Sequence, residues 1–235
     1  MKKGVNYNLN FVSTFSCLIL LFYLCIGNKK VYVNPPYKFL HDLRVRGMLE
    51  LVWYGRGGQG AWTASNILAQ AALKEGKYVQ SFPTFGPERM GAPVMAFTRI
   101  SDEPIELHCN IYEPDVVIVL DDSLLQSLNV TEGLKSEGKV IVNSKEDPKN
   151  ILKMLRISGR QTVYTTPATE IALEILGRPI TNTAMIGGLL RVVRIVSLDS
   201  VKEVLRERFP AKVAELNIKV VERAYSETRG VGGVE

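Results

Sequence analysis

Beyond residue 48 the chain alternates between short apolar runs and longer stretches whose apolar positions recur every three or four residues. Runs of the first kind read as strands and stretches of the second kind as helices. "LELVWY" (49–54) predicts a strand. A glycine turn follows, then a helix over about 59–75 that Gly76 ends as a C-cap. "KYVQSF" (77–82) and "VMAFTRI" (94–100) predict two more strands, separated by the Pro- and Gly-rich loop "PTFGPERMGAP" (83–93). "IELHCN" (105–110) is expected to pair back as a hairpin. "PDVVIVLD" (114–121) holds an unbroken apolar run, the mark of a central strand covered on both faces, and "SEGKVIVNS" (136–144) repeats the pattern. "QTVYTTPATEIALEILG" (161–177) predicts a short strand and then a helix with Pro167 near its start. Three more helices are predicted at 181–193, 199–209 and 211–227, and the tail 228–235 is expected to fray. The alternation predicts the α/β class: a single Rossmann-like layered domain over 48–227, with a mostly parallel or mixed sheet flanked by helices and a helical C-terminal part.

The first 47 residues do not follow this pattern. "FVSTFSCLILLFYLCI" (11–26) is 16 residues without a charge, preceded by Lys2 and Lys3. A spanning helix needs at least about 17 apolar residues, and no small-x-small cleavage site follows the segment. Residues 28–47 show neither period. Three readings stand, in order of preference: a mis-assigned start with Met48 as the first biological residue, a signal anchor, and a cleaved signal. The expected location is therefore cytoplasmic, or membrane-anchored if 11–26 is genuinely translated and inserted.

Charge sharpens the contrast. The net charge is +5, yet seven of the 29 Lys/Arg and one of the 24 Asp/Glu lie in 1–47, which leaves the body with a net charge of −1. A nucleic-acid footprint needs a basic stripe, so no nucleic-acid partner is expected. Of three cysteines only Cys109 lies in the body. Iron–sulfur clusters and structural zinc take several thiolates at short spacing, so neither is expected on this chain, and no metal ligands are assigned. His108 and Cys109 are neighbours on a predicted strand, hence on opposite faces, and are read as structural.

The turn "GRGGQG" (55–60) carries the chemistry. Gly55, Gly57 and Gly60 satisfy G-x-G-x-x-G between a strand and a helix, the context in which bare backbone amides and a helix N-terminus hold an anion. That context favours anion binding over a tight turn that binds nothing. NAD fits less well: its fingerprint wants an acid at the end of the second strand, and here that strand ends in Gln80 and Ser81. No Gly-Lys-Ser/Thr closes the turn, which removes the Walker pattern. Asp121 and Asp122 end a predicted strand and are read as capping the next helix. Trp53 and Trp62 flank the turn; core packing is the preferred reading for both, with contact to a ligand the alternative for Trp62 on the first helical turn.

Five segments in order, "GRGGQG" (55–60), "FGPERMGAP" (85–93), "RISDEPI" (99–105), "PDVVIVLDDSLL" (114–125) and "TNTAMIGG" (181–188), resemble the gamma subunit of a 2-oxoacid:ferredoxin oxidoreductase, most of all the pyruvate or ketoisovalerate type. The resemblance covers nearly all of 48–227. It implies one subunit of a heterotetramer of the pyruvate synthase class, with alpha, beta and delta-type partner subunits and ferredoxin as electron acceptor. It implies thiamine diphosphate and iron–sulfur clusters on the partners rather than here, and a coenzyme A co-substrate that this α/β domain helps to bind. Carried residue by residue, the resemblance assigns the cofactor-binding role to Gly55, Gly57, Gly58, Gln59 and Gly60, to Gly86, Glu88, Arg89 and Gly91, and to Asn182 and Thr183. No residue of this chain is assigned a catalytic role. Met90 departs from the family, which often has a second arginine there. Two other readings stay open: a free-standing Rossmann-type dinucleotide-binding oxidoreductase, and a purely scaffolding subunit.

Overall fold

The computed structural model describes residues 24–26, 29–31, 47–84, 90–155, 157 and 159–232. The chain divides into two compact units, Met1–Arg44 and Val45–Glu235. In the first, β1 (Leu24–Ile26) pairs antiparallel with β2 (Lys29–Val31). The rest of the apolar segment 11–26 lies outside the described residues.

The second unit is built on a seven-stranded sheet ordered β4-β5-β3-β6-β7-β8-β9. Its strands are β3 (Leu49–Arg56), β4 (Tyr78–Pro83), β5 (Pro93–Ser101), β6 (Val116–Val119), β7 (Lys139–Asn143), β8 (Thr162–Thr166) and β9 (Arg229–Gly232). Strands β3, β6, β7 and β8 run parallel, while β5 and β9 are antiparallel to their neighbours. The helices are α1 (Ala61–Lys74), α2 (Leu124–Ser127), α3 (Pro148–Met154), α4 (Ala168–Leu176), α5 (Asn182–Val192), α6 (Leu198–Arg208) and α7 (Ala211–Glu227).

Side chains alternate across a strand, and the two cores divide accordingly. Leu51, Trp53, Val116 and Ile118 face α1 and the helical C-terminal part. Val117, Val119, Val140 and Val142 face α2, α3 and the loop around Val130 and Leu134. This double cover explains why β6 and β7 read as unbroken apolar runs. On the outer part of the second face Ile111 packs on Val52 and Phe97.

Local chemistry sets the ends. α1 is alanine-rich with no internal glycine or proline, a strong helix former, and it ends where Gly76 turns left-handed (φ +78). Asp147 caps α3 by accepting from the Lys149 amide, with Pro148 in the first turn. Helix α5 has nine consecutive buried residues, Asn182–Leu190, because it lies between the sheet and α7. Two glycines make that possible. A Cβ on Gly187 would stand 2.2 Å from the Val221 carbonyl oxygen of α7, and one on Gly188 would stand 2.3 Å from Thr166 Oγ1 of β8.

Three expectations are corrected. Residues 105–110 form no strand. Their polar backbone is used by side chains instead: Gln80 Nε2 donates to the Ile105 and Leu107 carbonyls, and Arg99 Nη2 to that of Asn110. His108 and Cys109 therefore lie on a loop, with Cys109 Sγ 3.8 Å from Arg99 Nη2. The tail does not fray from 228, because 229–232 pairs as β9 on the edge of β8. Trp62 is not in the core: it is 52% exposed, whereas Trp53 is fully buried and donates its indole N–H to Thr98 Oγ1.

Candidate functional site

The connection after β3 leads through α1 to one flank of the sheet, and β6, with its own helices on the opposite face, begins the other flank. The crevice beyond the C-terminal ends of β3 and β6 is thus a topological switch point, the place where α/β sheets bind ligands. The glycine turn forms one lip and Leu120–Ser123 the other.

The turn is shaped by its glycines. Gly58 (φ +94) and Gly60 (φ +78) lie in the left-handed region, and Gly60 sits at the N-cap of α1 with no side chain to cap it. The Gly57 amide is spent on the Ala92 carbonyl (2.8 Å) and the Gln59 amide on that of Arg56 (2.9 Å). The amides of Gly58, Gly60, Ala61, Trp62 and Thr63 have no acceptor among the described residues. A helix start of 14 residues with open donors is an anion-ready surface.

A second helix start meets the first. Asn182 opens α5 and is only 8% exposed. Its Oδ1 accepts from the Thr183 amide (2.8 Å), which fixes the carboxamide so that Nδ2 is the outward donor. That Nδ2 lies 2.7 Å from where a Cβ on Gly60 would be, and it has no hydrogen-bond partner among the described residues. Thr183 faces away: it is buried, and its hydroxyl donates to Asn217 Oδ1 of α7. Gly55 is buried at the base of the turn and packs against Ala61 and Leu120. Gly91 (φ +82) belongs to the neighbouring segment and donates its amide to the Gly57 carbonyl. Gly86, Glu88 and Arg89 lie outside the described residues.

Gln59 and Asp121 form the wall between the turn and a cleft of about 490 Å³ over the ends of β6, β7 and β8. Gln59 Oε1 accepts from the Arg56 amide (2.7 Å), and Gln59 Nε2 donates to Asp121 Oδ2 (2.7 Å). Burial works to raise the Asp121 carboxyl. Hydrogen bonds from Ser123 and Gln59, with the Arg56 charge, outweigh it and hold the carboxyl below the usual aspartate range. Burial and the charges of Asp121 and Glu170 push Asp122 the other way. The cleft also takes in Asn143, Glu146, Thr169 and Thr181. Asn143 is saturated, donating to the Leu120 carbonyl and Thr169 Oγ1 and accepting from the Thr169 amide.

Two features escaped the sequence. Arg56 reaches across the crevice to Asp121 (3.2 Å) and Ser123 (2.8 Å), a contact between segments more than 60 residues apart. Asp121, expected only to cap the next helix, stands at the end of β6, the parallel neighbour of β3, and so borders the turn. Only strand pairing reveals it, and Asp121 is already committed to Arg56 and Gln59. The expected capping role is also revised: Ser123 stands at the N-cap of α2 without a side-chain cap, and Asp121 accepts from the Ser123 amide and hydroxyl.

The sequence model of the pyruvate ferredoxin/flavodoxin oxidoreductase family matches residues 50–227. The pyruvate/ketoisovalerate oxidoreductases common subunit gamma of Thermococcus kodakarensis is 53% identical over 181 residues, 77% of this chain and 97% of the relative. Among solved structures, the pyruvate oxidoreductase subunit PORC of Thermotoga maritima superposes with a TM-score of 0.71 at 40% identity, over 79% of this chain and 99% of the other. The fold recurs in 2-oxoglutarate:ferredoxin oxidoreductase of Magnetococcus marinus, solved with 2-oxoglutarate, coenzyme A and succinyl-CoA bound (TM-score 0.64, 21% identity). That match covers 77% of this chain and 31% of the larger one.

Proposed function

The chain belongs to the pyruvate ferredoxin/flavodoxin oxidoreductase family as a gamma-type subunit, and from that premise we propose that it supplies a phosphate-binding surface for coenzyme A in the assembled enzyme. The complex oxidatively decarboxylates a 2-oxoacid, with pyruvate as the expected substrate, to the acyl-CoA and passes the electrons to ferredoxin. One body thiol, Cys109, does not fit the ligand set of a cluster. The clusters and thiamine diphosphate are therefore assigned to alpha, beta and delta-type partners, and this subunit works beside them in the cytoplasm.

The observation that carries the reading is the convergence of two helix starts on one point. The amides of Gly58, Gly60 and the first turn of α1 have no acceptor among the described residues, and the fixed Nδ2 of Asn182 lies 2.7 Å from where a Cβ on Gly60 would be. Backbone donors of this kind suit a phosphate oxygen. Asp121, the negative charge bonded to Gln59 of the turn, is offset by the Arg56 guanidinium at 3.2 Å. Gly58, Gly60 and Asn182 are thus assigned to direct contact. Gly55, Gly57, Gln59 and Gly91 shape the turn, and Thr183 ties α5 to α7. Trp62 and Met90, both exposed, suit contact with a partner subunit.

Coenzyme A titration of the full chain and of the assembled complex tests the reading. Binding that weakens on adding inorganic pyrophosphate is expected. Absence of binding in both preparations would leave a scaffolding subunit. Nicotinamide-dependent turnover by the chain alone would instead favour a free-standing dehydrogenase.

A further inference from the structure

Arg56 lies inside the glycine turn, where an arginine would ordinarily be taken for a phosphate ligand. Its guanidinium is spent otherwise. Nη1 donates to the Gly91 carbonyl (3.1 Å), Nη2 donates to Ser123 Oγ (2.8 Å), and Nε faces Asp121 Oδ2 at 3.2 Å. Gln59 bonds the same Asp121 oxygen and the Arg56 amide. The β3–β5 ladder ends at Arg56 opposite Pro93. Two further bonds carry the pairing onward, Gly57 N–H to Ala92 O (2.8 Å) and Gly91 N–H to Gly57 O (3.1 Å). Three segments distant in sequence therefore meet on one side chain: the turn, residues 90–92, and the start of α2.

We propose that Arg56 is a positioning residue, a three-way clamp that fixes the turn and residues 90–92 before any ligand arrives and so keeps the Gly58 and Gly60 amides aimed outward. Only a planar fork can serve the three acceptors at once; a lysine ammonium at that reach satisfies the charge of Asp121 and little else. Without the clamp the turn must be ordered at the moment of binding, and that cost is taken from affinity. The effect on coenzyme A rests on the reading given above; the clamp itself does not.

The experiment uses Arg56→Met, Arg56→Lys and Asp121→Asn in the full chain and in the assembled complex. In the ligand-free chain, amide hydrogen exchange at Arg56, Gly57, Gln59 and Gly91 should speed up on the order of tenfold in Arg56→Met, the effect of losing one or two net hydrogen bonds. Arg56→Lys should recover little of this, and the global thermal midpoint should move little. In the complex, the Michaelis constant for coenzyme A should rise about tenfold while turnover at saturating coenzyme A holds. Asp121→Asn decides the sign. A clamp residue lost there raises the Michaelis constant, as Arg56→Met does, and the double variant is no worse than either single one. Were Arg56 a phosphate ligand restrained by Asp121, the same variant would lower the Michaelis constant, and the proposal would be wrong. Unchanged exchange in Arg56→Met would also overturn it. Faster exchange with an unchanged coenzyme A constant would uphold the clamp and remove coenzyme A as the ligand of the turn.

Discussion

Gly60 and Gly76 share the same left-handed φ of +78, at opposite ends of α1, and differ in what surrounds them. A Cβ at Gly76 meets nothing within 4 Å, whereas one at Gly60 stands 2.7 Å from Asn182 Nδ2. Replacing either by alanine incurs the left-handed strain, roughly 1–2 kcal/mol. Gly60→Ala must also turn the Asn182 carboxamide, which loses its bond from the Thr183 amide. Breaking that bond costs a further ~1–2 kcal/mol, since it strands a buried donor. For a domain of this size each kcal/mol is worth roughly 2–4 °C in Tm. Thermal scans of the two variants should therefore differ by about 2–8 °C, with Gly60→Ala the lower. Coenzyme A kinetics of the complex extend the test: Gly60→Ala should raise the Michaelis constant about tenfold, one charge-assisted hydrogen bond's worth, and Gly76→Ala should leave it alone. Equal midpoints for the two variants would refute the placement of Asn182 against the turn. A displaced midpoint with unchanged coenzyme A kinetics would refute its role at the ligand.

Gly187→Ala should destabilise by about 1–3 kcal/mol, because its Cβ would press on the Val221 backbone and drive α5 from α7; a urea midpoint equal to that of wild type would contradict the close helix contact. Arg99→Met should lose about 3–5 kcal/mol, since Arg99, 1% exposed, pairs with buried Glu50 at 3.0 Å and its removal leaves that carboxylate only the more distant Lys135 ammonium at 3.9 Å. Adding Glu50→Gln should recover part of the loss in the same denaturation assay. Asp121, held low by its partners, stabilises the fold above the ordinary aspartate pKa, and that contribution fades as pH falls through its lowered native value. Unfolding titrations should accordingly show the gap between wild type and Asp121→Asn closing in acid, and a gap independent of pH would count against the Arg56–Gln59–Ser123 arrangement.

The strands were legible where burial on both faces leaves no polar residue, as in "VVIVL", and the helices where apolar residues recur at helical spacing over several turns. Sequence could not show which strands are neighbours. β4 follows β3 along the chain, yet β5 lies between them, and the parallel partner of β3 begins 60 residues after β3 ends. For that reason the sequence shows Asp121 only as a helix cap at a strand end, not as a neighbour of the turn. The short α2 and α3 have too few turns to show a period. β9 is a glycine-bearing edge strand whose only signal is its partner; Gly230 lies flat on the Tyr164 ring, 2.3 Å from where its Cβ would be. Trp62 is expected in the core, but the first turn of α1 turns it to the outside. The glycine turn itself was legible because glycine at left-handed positions is a local requirement. Its contact with Asn182 was not, because it depends on how α5 packs between the sheet and α7.

β3 starts at Leu49 at the end of the sheet opposite the glycine turn, and β9, antiparallel to β8, finishes at that same end, with Gly232 opposite Thr162. The way into the fold and the way out of it are both on its underside. A tether, reporter or fused protein joined past Gly232 would leave the domain at the end of the sheet away from the crevice. The domain can thus be immobilised through that attachment on a sensor surface with its ligand-facing side turned to the solution, a mounting that circular permutation through the turn would forfeit.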